Sequence, residues 1–224
     1  MKATTTLASM RTPDGELLAL HRHDGEYFMK IGATQLMSTV ASFSEQQMAE
    51  VACAKLGAKP RLRVLIGGLG FGFTLRRVLE LVPDDATVVV AELLPEVVEW
   101  NREHLQKVNG GLMEDPRVEI RLGDVFELIR DCGSDGYDAI LLDVDNSPAP
   151  LVQKGNARLY ARRGMKLTRN ALNAGGRVVY WSAHRDKGFH RGLEMEYGQV
   201  SSLGAKAYAM AKRFSHTLFV ADRD

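Results

Sequence analysis

The residues with chemical capability stand at the ends of aliphatic runs. The run Arg63–Ile66 stops in IGGLGFGF, which places Gly67, Gly68, Gly70 and Gly72 in one turn. Glycine lets the backbone turn tightly and approach a ligand with no Cβ in the way. The helix expected next offers free N–H groups and the positive end of its dipole. A dinucleotide turn needs G-x-G-x-x-G, but the third position is Phe73 counted from Gly68 and Leu75 counted from Gly70. The pyrophosphate fingerprint fails in both registers. The spacing Gly68-x-Gly70-x-Gly72 suits a nucleoside with a short sulfonium side chain. By itself it also fits a purely structural turn.

Three further runs end in acids. Thr87–Ala91 stops at Glu92, 20 residues after Gly72, where a carboxylate can accept both ribose hydroxyls. Val118–Arg121 stops at Gly123-Asp124. That carboxylate can take an adenine amino group, or cap the helix expected over Val125–Arg130. Ala139–Leu142 stops in LLDVDNSP, which supplies Asp143, Asp145 and Asn146. A carboxylate there can orient an incoming amine and favour loss of its proton. The carbon beside a sulfonium is already electrophilic, so the protein mainly supplies in-line alignment.

These runs require a scaffold that gathers strand ends on one edge. From Arg63 onward strands alternate with helices: Thr74–Leu81, Pro95–Val108, Val125–Arg130 and Arg163–Leu172 read as helices, and Val178–Trp181 as a fifth strand. The last stretch reads as a hairpin of Ala205–Met210 with Thr217–Ala221. The expected fold is α/β, a Rossmann-like doubly wound sheet of the class I methyltransferase type, with ligands at the carboxyl edge where strand order reverses. Residues 1–43 read as a small N-terminal β extension, with a hairpin about Asp24-Gly25 and a strand near Gln35–Met37. Residues 44–224 form the nucleoside-binding domain, whose first helix is expected to be capped by Ser44 with Gln47 as its partner.

Composition is that of a soluble globular protein, with 29 basic against 28 acidic residues and no overall basic footprint for nucleic acid. Cys53 and Cys132 lie in no metal-spaced pair, so no metal is expected. No run approaches the roughly 20 apolar residues of a membrane span. The N-terminal residues lack a signal-peptide pattern, so the expected location is the cytoplasm.

With these motifs in place, the chain resembles the spermidine synthase family of polyamine aminopropyltransferases from about Asp24 to Ser182. IGATQLMS, TLRRVLE, VVVAELLPEVVE, RVEIRLGDVFELI, YDAILLDVDNSP and LYARRGMKLTRNALNAGGRVVYWS follow the family's order and spacing. The resemblance implies that Gln35 contacts the nucleoside, Glu92 holds the ribose, Asp124 holds the adenine and Asp143 positions the attacking amine, with Asp145 beside it. Glu45, Asn146 and Tyr160 would face the acceptor. The co-substrate would be decarboxylated S-adenosylmethionine, the partner a small amine, and the assembly a homodimer. Three positions depart from the family pattern. Phe71 stands where the glycine turn carries an acid, Asn146 where the acceptor loop carries one, and Glu45 where a tyrosine is usual. Two alternatives therefore stay open: a methyltransferase using intact S-adenosylmethionine, and a nucleoside-binding protein that has lost turnover.

Overall fold

The computed structural model describes residues 3–57, 59–144 and 154–224. The N-terminal strands β1 (Thr5–Arg11), β2 (Leu17–His23), β3 (Glu26–Ile31) and β4 (Thr34–Ser38) form an antiparallel meander in chain order. The expected β2–β3 hairpin is present, and its turn residues Asp24 and Gly25 have φ of +50° and +89°. Both central residues with positive φ give the turn whose twist matches its strands. Leu18, Leu20, Met29 and Ile31 are buried in one continuous cluster with Val64, Leu75 and Val90 of the larger layer.

The second sheet holds β5 (Arg63–Gly67), β6 (Thr87–Glu92), β7 (Val118–Leu122), β8 (Tyr137–Leu142), β9 (Leu172–Ser182), β10 (Val200–Ala205) and β11 (His216–Asp222). Their order is β10-β11-β9-β8-β5-β6-β7; β5 to β9 pair in parallel, and β10 and β11 are antiparallel. This is the expected doubly wound α/β sheet with its closing hairpin. The central strands read VLI, VVV and ILL because helices cover both faces and no side of these strands meets water. One face packs α1 (Phe43–Cys53), α2 (Phe73–Leu81) and α3 (Pro95–Glu103) through Met48, Ala52, Leu75, Val78 and Val97. The other packs α5 (Val125–Arg130), α7 (Arg162–Ala171) and α8 (Lys187–Tyr197) through Phe126, Ile129, Met165, Leu193 and Tyr197. Strand order reverses at β5, so the crevice opens beside Gly67-Gly68.

Three local expectations fail, and one helix was missed. Ser44 does not cap α1. The helix starts at Phe43, the Ser44 hydroxyl donates to Glu45 at 2.6 Å, and Gln47 accepts the Lys206 N–H at 2.9 Å. The helix expected over Pro95–Val108 stops at Glu103, and a separate turn, α4, covers Gln106–Asn109. The carbonyl of Asn101 takes the Asn109 side-chain amide at 3.0 Å, and the Leu105 N–H turns to the Trp100 carbonyl instead. That exchange breaks the i→i−4 ladder. The final hairpin is shifted: β10 ends at Ala205, opposite His216, because α1 holds the following residues through Phe43 N–H to the Ala207 carbonyl at 3.2 Å. Helix α8 was not anticipated. Asp186 caps it, accepting from Gly188 and Phe189 at 2.7 and 2.8 Å. No helix among the described residues is long and apolar enough to cross a membrane.

Candidate active site

A cavity of about 480 Å³ lies along the carboxyl edge of the larger sheet, with the β4 segment as its roof. Strand order arranges its contents: Asp124 after β7, Glu92 ending β6, Gly68 after β5, Asp143 after β8 and Trp181 near the end of β9. Residues distant in sequence are thereby set side by side.

The glycine turn is held from several sides. Gly68 donates to the Ala91 carbonyl at 2.8 Å, and the Gly70 carbonyl accepts the Asn101 side-chain amide at 2.8 Å. Gly68 has φ +93°, and a Cβ there would stand 2.4 Å from the Asp143 carbonyl oxygen. Phe71 is buried in the core and meets Phe73 edge-on with centroids 6.2 Å apart. It is not part of the cavity lining.

Glu92 is buried and lines the cavity. Its two carboxylate oxygens accept the N–H groups of Leu69 at 2.8 Å and Leu94 at 2.9 Å. Burial pushes its pKa up, and these backbone N–H groups oppose that rise. The acid thus clamps the glycine turn from the cavity wall. Gln35 lines the same cavity from β4. Asp124 caps α5 by accepting from Phe126 N–H at 2.8 Å, and its other oxygen pairs with Arg158. The Arg158 guanidinium also reaches Glu127 at 3.1 Å and lies 4.3 Å over the Phe126 ring. Asp124 therefore combines the capping role with a place in the cavity wall.

Asp143 and Glu45 meet at the centre. Thr74 donates to Asp143 at 3.1 Å and Ser44 donates to Glu45. Burial pushes Asp143 up to about 6. Burial, and then the charge of Asp143, push Glu45 up to about 7. Two carboxylates in one partly desolvated site resist joint ionisation, and a bound cation relieves that cost. Both pKa values are higher folded than unfolded, so between the ordinary carboxylate range and about 7 the folded chain binds more protons. The stability contribution of this pair is therefore greatest at low pH and is lost as pH rises through about 7. Thermal denaturation of Glu45→Gln against the parent at pH 5 and pH 8 checks this: the variant should lose less stability over the interval, and an equal loss removes the pair as its cause.

Asp145 and Asn146 lie outside the described residues. Tyr160, expected at the acceptor, packs with Tyr180 and Phe189 at centroid distances of 5.7 and 5.2 Å and is not part of the cavity lining. Trp181, His184 and His216 do line it. His190 does not: it pairs with Glu194 at 3.2 Å and Ser202 at 2.7 Å. The position of His216 was hidden because β11 runs antiparallel, which returns its first residue to the edge where the parallel strands end. Apolar lining from Leu36, Met37 and Val97 was likewise set by packing between the two sheets. Among the described residues no group of three or more His, Cys, Asp or Glu could hold a metal ion.

The family model for the spermine/spermidine synthase domain matches residues 39–190, about two thirds of the chain. The chain belongs to the spermine/spermidine synthase family. The match spans every carboxylate of the cavity and begins just after the N-terminal sheet ends at Ser38. Polyamine aminopropyltransferase 1 of Hyperthermus butylicus is 33% identical over 147 residues, which cover 65% of this chain and 49% of that protein. The polyamine aminopropyltransferase of Corynebacterium efficiens is 36% identical over 130 residues, covering 57% of this chain and 24% of the relative. The chain thus spans half or less of the length of these curated relatives. Spermidine synthase from Thermotoga maritima superposes with a TM-score of 0.76 at 20% identity, over 98% of this chain and 73% of that one. A spermidine synthase in complex with the transition state analogue AdoDATO gives 0.75 at 19% identity, over 98% and 72%. These two structures share the fold of this family member, including the N-terminal antiparallel strands.

Proposed function

We propose that the chain transfers an aminopropyl group from decarboxylated S-adenosylmethionine to a small amine. The observation that carries this reading is the placement of Glu92 and Asp143 in one cavity, on either side of the glycine turn. Glu92 takes the ribose hydroxyls, with Asp124 and Gln35 at the base. Asp143 and Glu45 face the amine. The attacking nitrogen, once deprotonated, gives its lone pair to the propyl carbon beside sulfur. The C–S bond breaks, its electron pair stays on sulfur, and methylthioadenosine leaves as a neutral thioether. The proton lost from the amine passes to Asp143 or solvent. The sulfonium supplies the electrophile, so the chain's own contribution is alignment and charge. Relatives named polyamine aminopropyltransferase and a spermidine synthase that binds AdoDATO support aminopropyl transfer over methyl transfer and over binding alone.

Thermal stabilisation tests the donor. Decarboxylated S-adenosylmethionine at 100 times its dissociation constant should add about 2.7 kcal/mol, with methylthioadenosine also stabilising and NAD inert. Stabilisation by NAD alone would sink the reading. Incubation with the donor and an amine should release methylthioadenosine, which chromatography detects.

A further inference from the structure

Two acids of the cavity are each held by a neutral hydroxyl: Thr74 donates to Asp143 at 3.1 Å, and Ser44 donates to Glu45 at 2.6 Å. Asp124, by contrast, meets the Arg158 guanidinium. Glu45 is delivered by the N-terminal part of the chain. Met37 of β4 rests on the glycine turn, where a Cβ on Gly70 would stand 2.7 Å from its terminal methyl. The chain then enters α1, whose first turn carries Glu45 into the cavity wall. This end of α1 is anchored by the Phe43 N–H on the Ala207 carbonyl at 3.2 Å and by the Lys206 N–H on the Gln47 side chain at 2.9 Å. The glycine turn itself, Gly67 to Phe73, contains no acid, and its Leu69 and Phe71 are buried. Glu92, Gly68 and Asp143 stand at the ends of the neighbouring strands β6, β5 and β8, so each step across the cavity is about 4.8 Å. A donor with its ribose at Glu92 and its sulfur at the glycine turn therefore carries its three-carbon arm to the level of Asp143 and Glu45.

We propose that Glu45 determines donor specificity: its carboxylate takes the terminal ammonium of decarboxylated S-adenosylmethionine and repels the carboxylate that intact S-adenosylmethionine carries on the same carbon. The inference rests on the aminopropyl-transfer reading of the same cavity, in which Asp143 attends to the attacking nitrogen. The reaction brings two nitrogens to this place, and only one of them gives up a proton. The attacking amine must become neutral. The donor's own ammonium stays charged throughout, and a charge taken out of water needs a partner. Burial, and then the charge of Asp143, push the Glu45 pKa up to about 7; a cation beside the two acids opposes the repulsion that contributes to that rise. Intact S-adenosylmethionine would instead set a third carboxylate against these two. A site discriminates through such a repulsion as well as through the attraction it offers the favoured ligand.

Decarboxylated S-adenosylmethionine, intact S-adenosylmethionine and methylthioadenosine are titrated by calorimetry into the full chain and into Glu45→Gln at pH 8. The parent should prefer the decarboxylated donor. Glu45→Gln should weaken that donor by about 10–100-fold, the range for one charge-assisted hydrogen bond, and should bind the intact donor more tightly than the parent does. Methylthioadenosine carries no ammonium, so its affinity should stay within about twofold, which also reports that the variant is folded. An unchanged ratio of the two donors in Glu45→Gln, or an equal loss of affinity for methylthioadenosine, overturns the proposal. Release of methylthioadenosine from the decarboxylated donor and an amine is measured separately on the parent. Preference of the parent for the intact donor, with no such release, counts against aminopropyl transfer and takes the assignment of Glu45 with it. Release by a parent that prefers the decarboxylated donor, with that preference unaltered in Glu45→Gln, overturns the assignment alone and leaves the reaction standing.

Discussion

Asp143→Asn should lower kcat by about 10²–10⁴-fold, the usual range for removing a group that accepts or positions a proton in the transition state. The substitution keeps shape and preserves a hydrogen-bond acceptor for Thr74, which donates to Asp143 at 3.1 Å. In the proposed reaction it removes the negative charge that steadies the incoming amine and the site to which its proton moves. Donor affinity should change far less, because the proposed ribose contact is at Glu92, two strands away. Stability at pH 8 should hold or rise. The pKa of Asp143 is pushed up to about 6 by burial, so its ionised form is a cost to the fold there. Single-turnover rates with the decarboxylated donor, set beside donor binding and thermal denaturation, separate these effects. A variant turning over within about threefold of the parent would remove Asp143 from the chemistry.

Gly68→Ala should be the most damaging small substitution in the site. An alanine at φ +93° is strained by about 1–2 kcal/mol from backbone sterics alone. Its Cβ would also lie 2.4 Å from the Asp143 carbonyl oxygen, a backbone atom that cannot swing aside. Either the turn or the end of β8 must shift, and overpacking of this kind adds about 1–3 kcal/mol. The shift would move the glycine turn relative to Asp143, so donor binding and turnover should fall together. Gly25→Ala is the control: its φ is +89°, with nothing within 4 Å of the added Cβ. Urea denaturation of both variants reads the difference. Equal losses of stability would mean that the close approach of Gly68 to β8 contributes nothing.

Much of the fold was legible because local pattern and tertiary need agree along the sheet. β5, β6 and β8 carry continuous apolar stretches, as strands buried on both faces must, and each leads into the glycine or acid that lines the cavity. The hairpin at Asp24-Gly25 was legible for a similar reason, since its turn conformation is written in two residues. The break after Glu103 was not, because it depends on Asn109 folding back onto the Asn101 carbonyl. Helix α8 carries a signal that was missed: Asp186 as cap and Phe189, Leu193 and Tyr197 on one buried stripe, diluted by Gly188 and Gly192.

The sequence by itself determined the alternation that makes a doubly wound sheet and the four strand ends that gather in one cavity. Those properties are local: a period, a glycine spacing, an acid after an aliphatic run. Tertiary structure alone decided which other side chains line that cavity. Phe71 sits between two glycines of the turn, yet its side chain enters the core, where the ring is removed from water. Tyr160 joins an aromatic cluster for the same reason. His216, 73 residues beyond Asp143, reaches the cavity because one antiparallel strand brings its beginning to the edge where the parallel strands end. Strand direction and side-chain burial are settled by the whole sheet, and no window of sequence contains them.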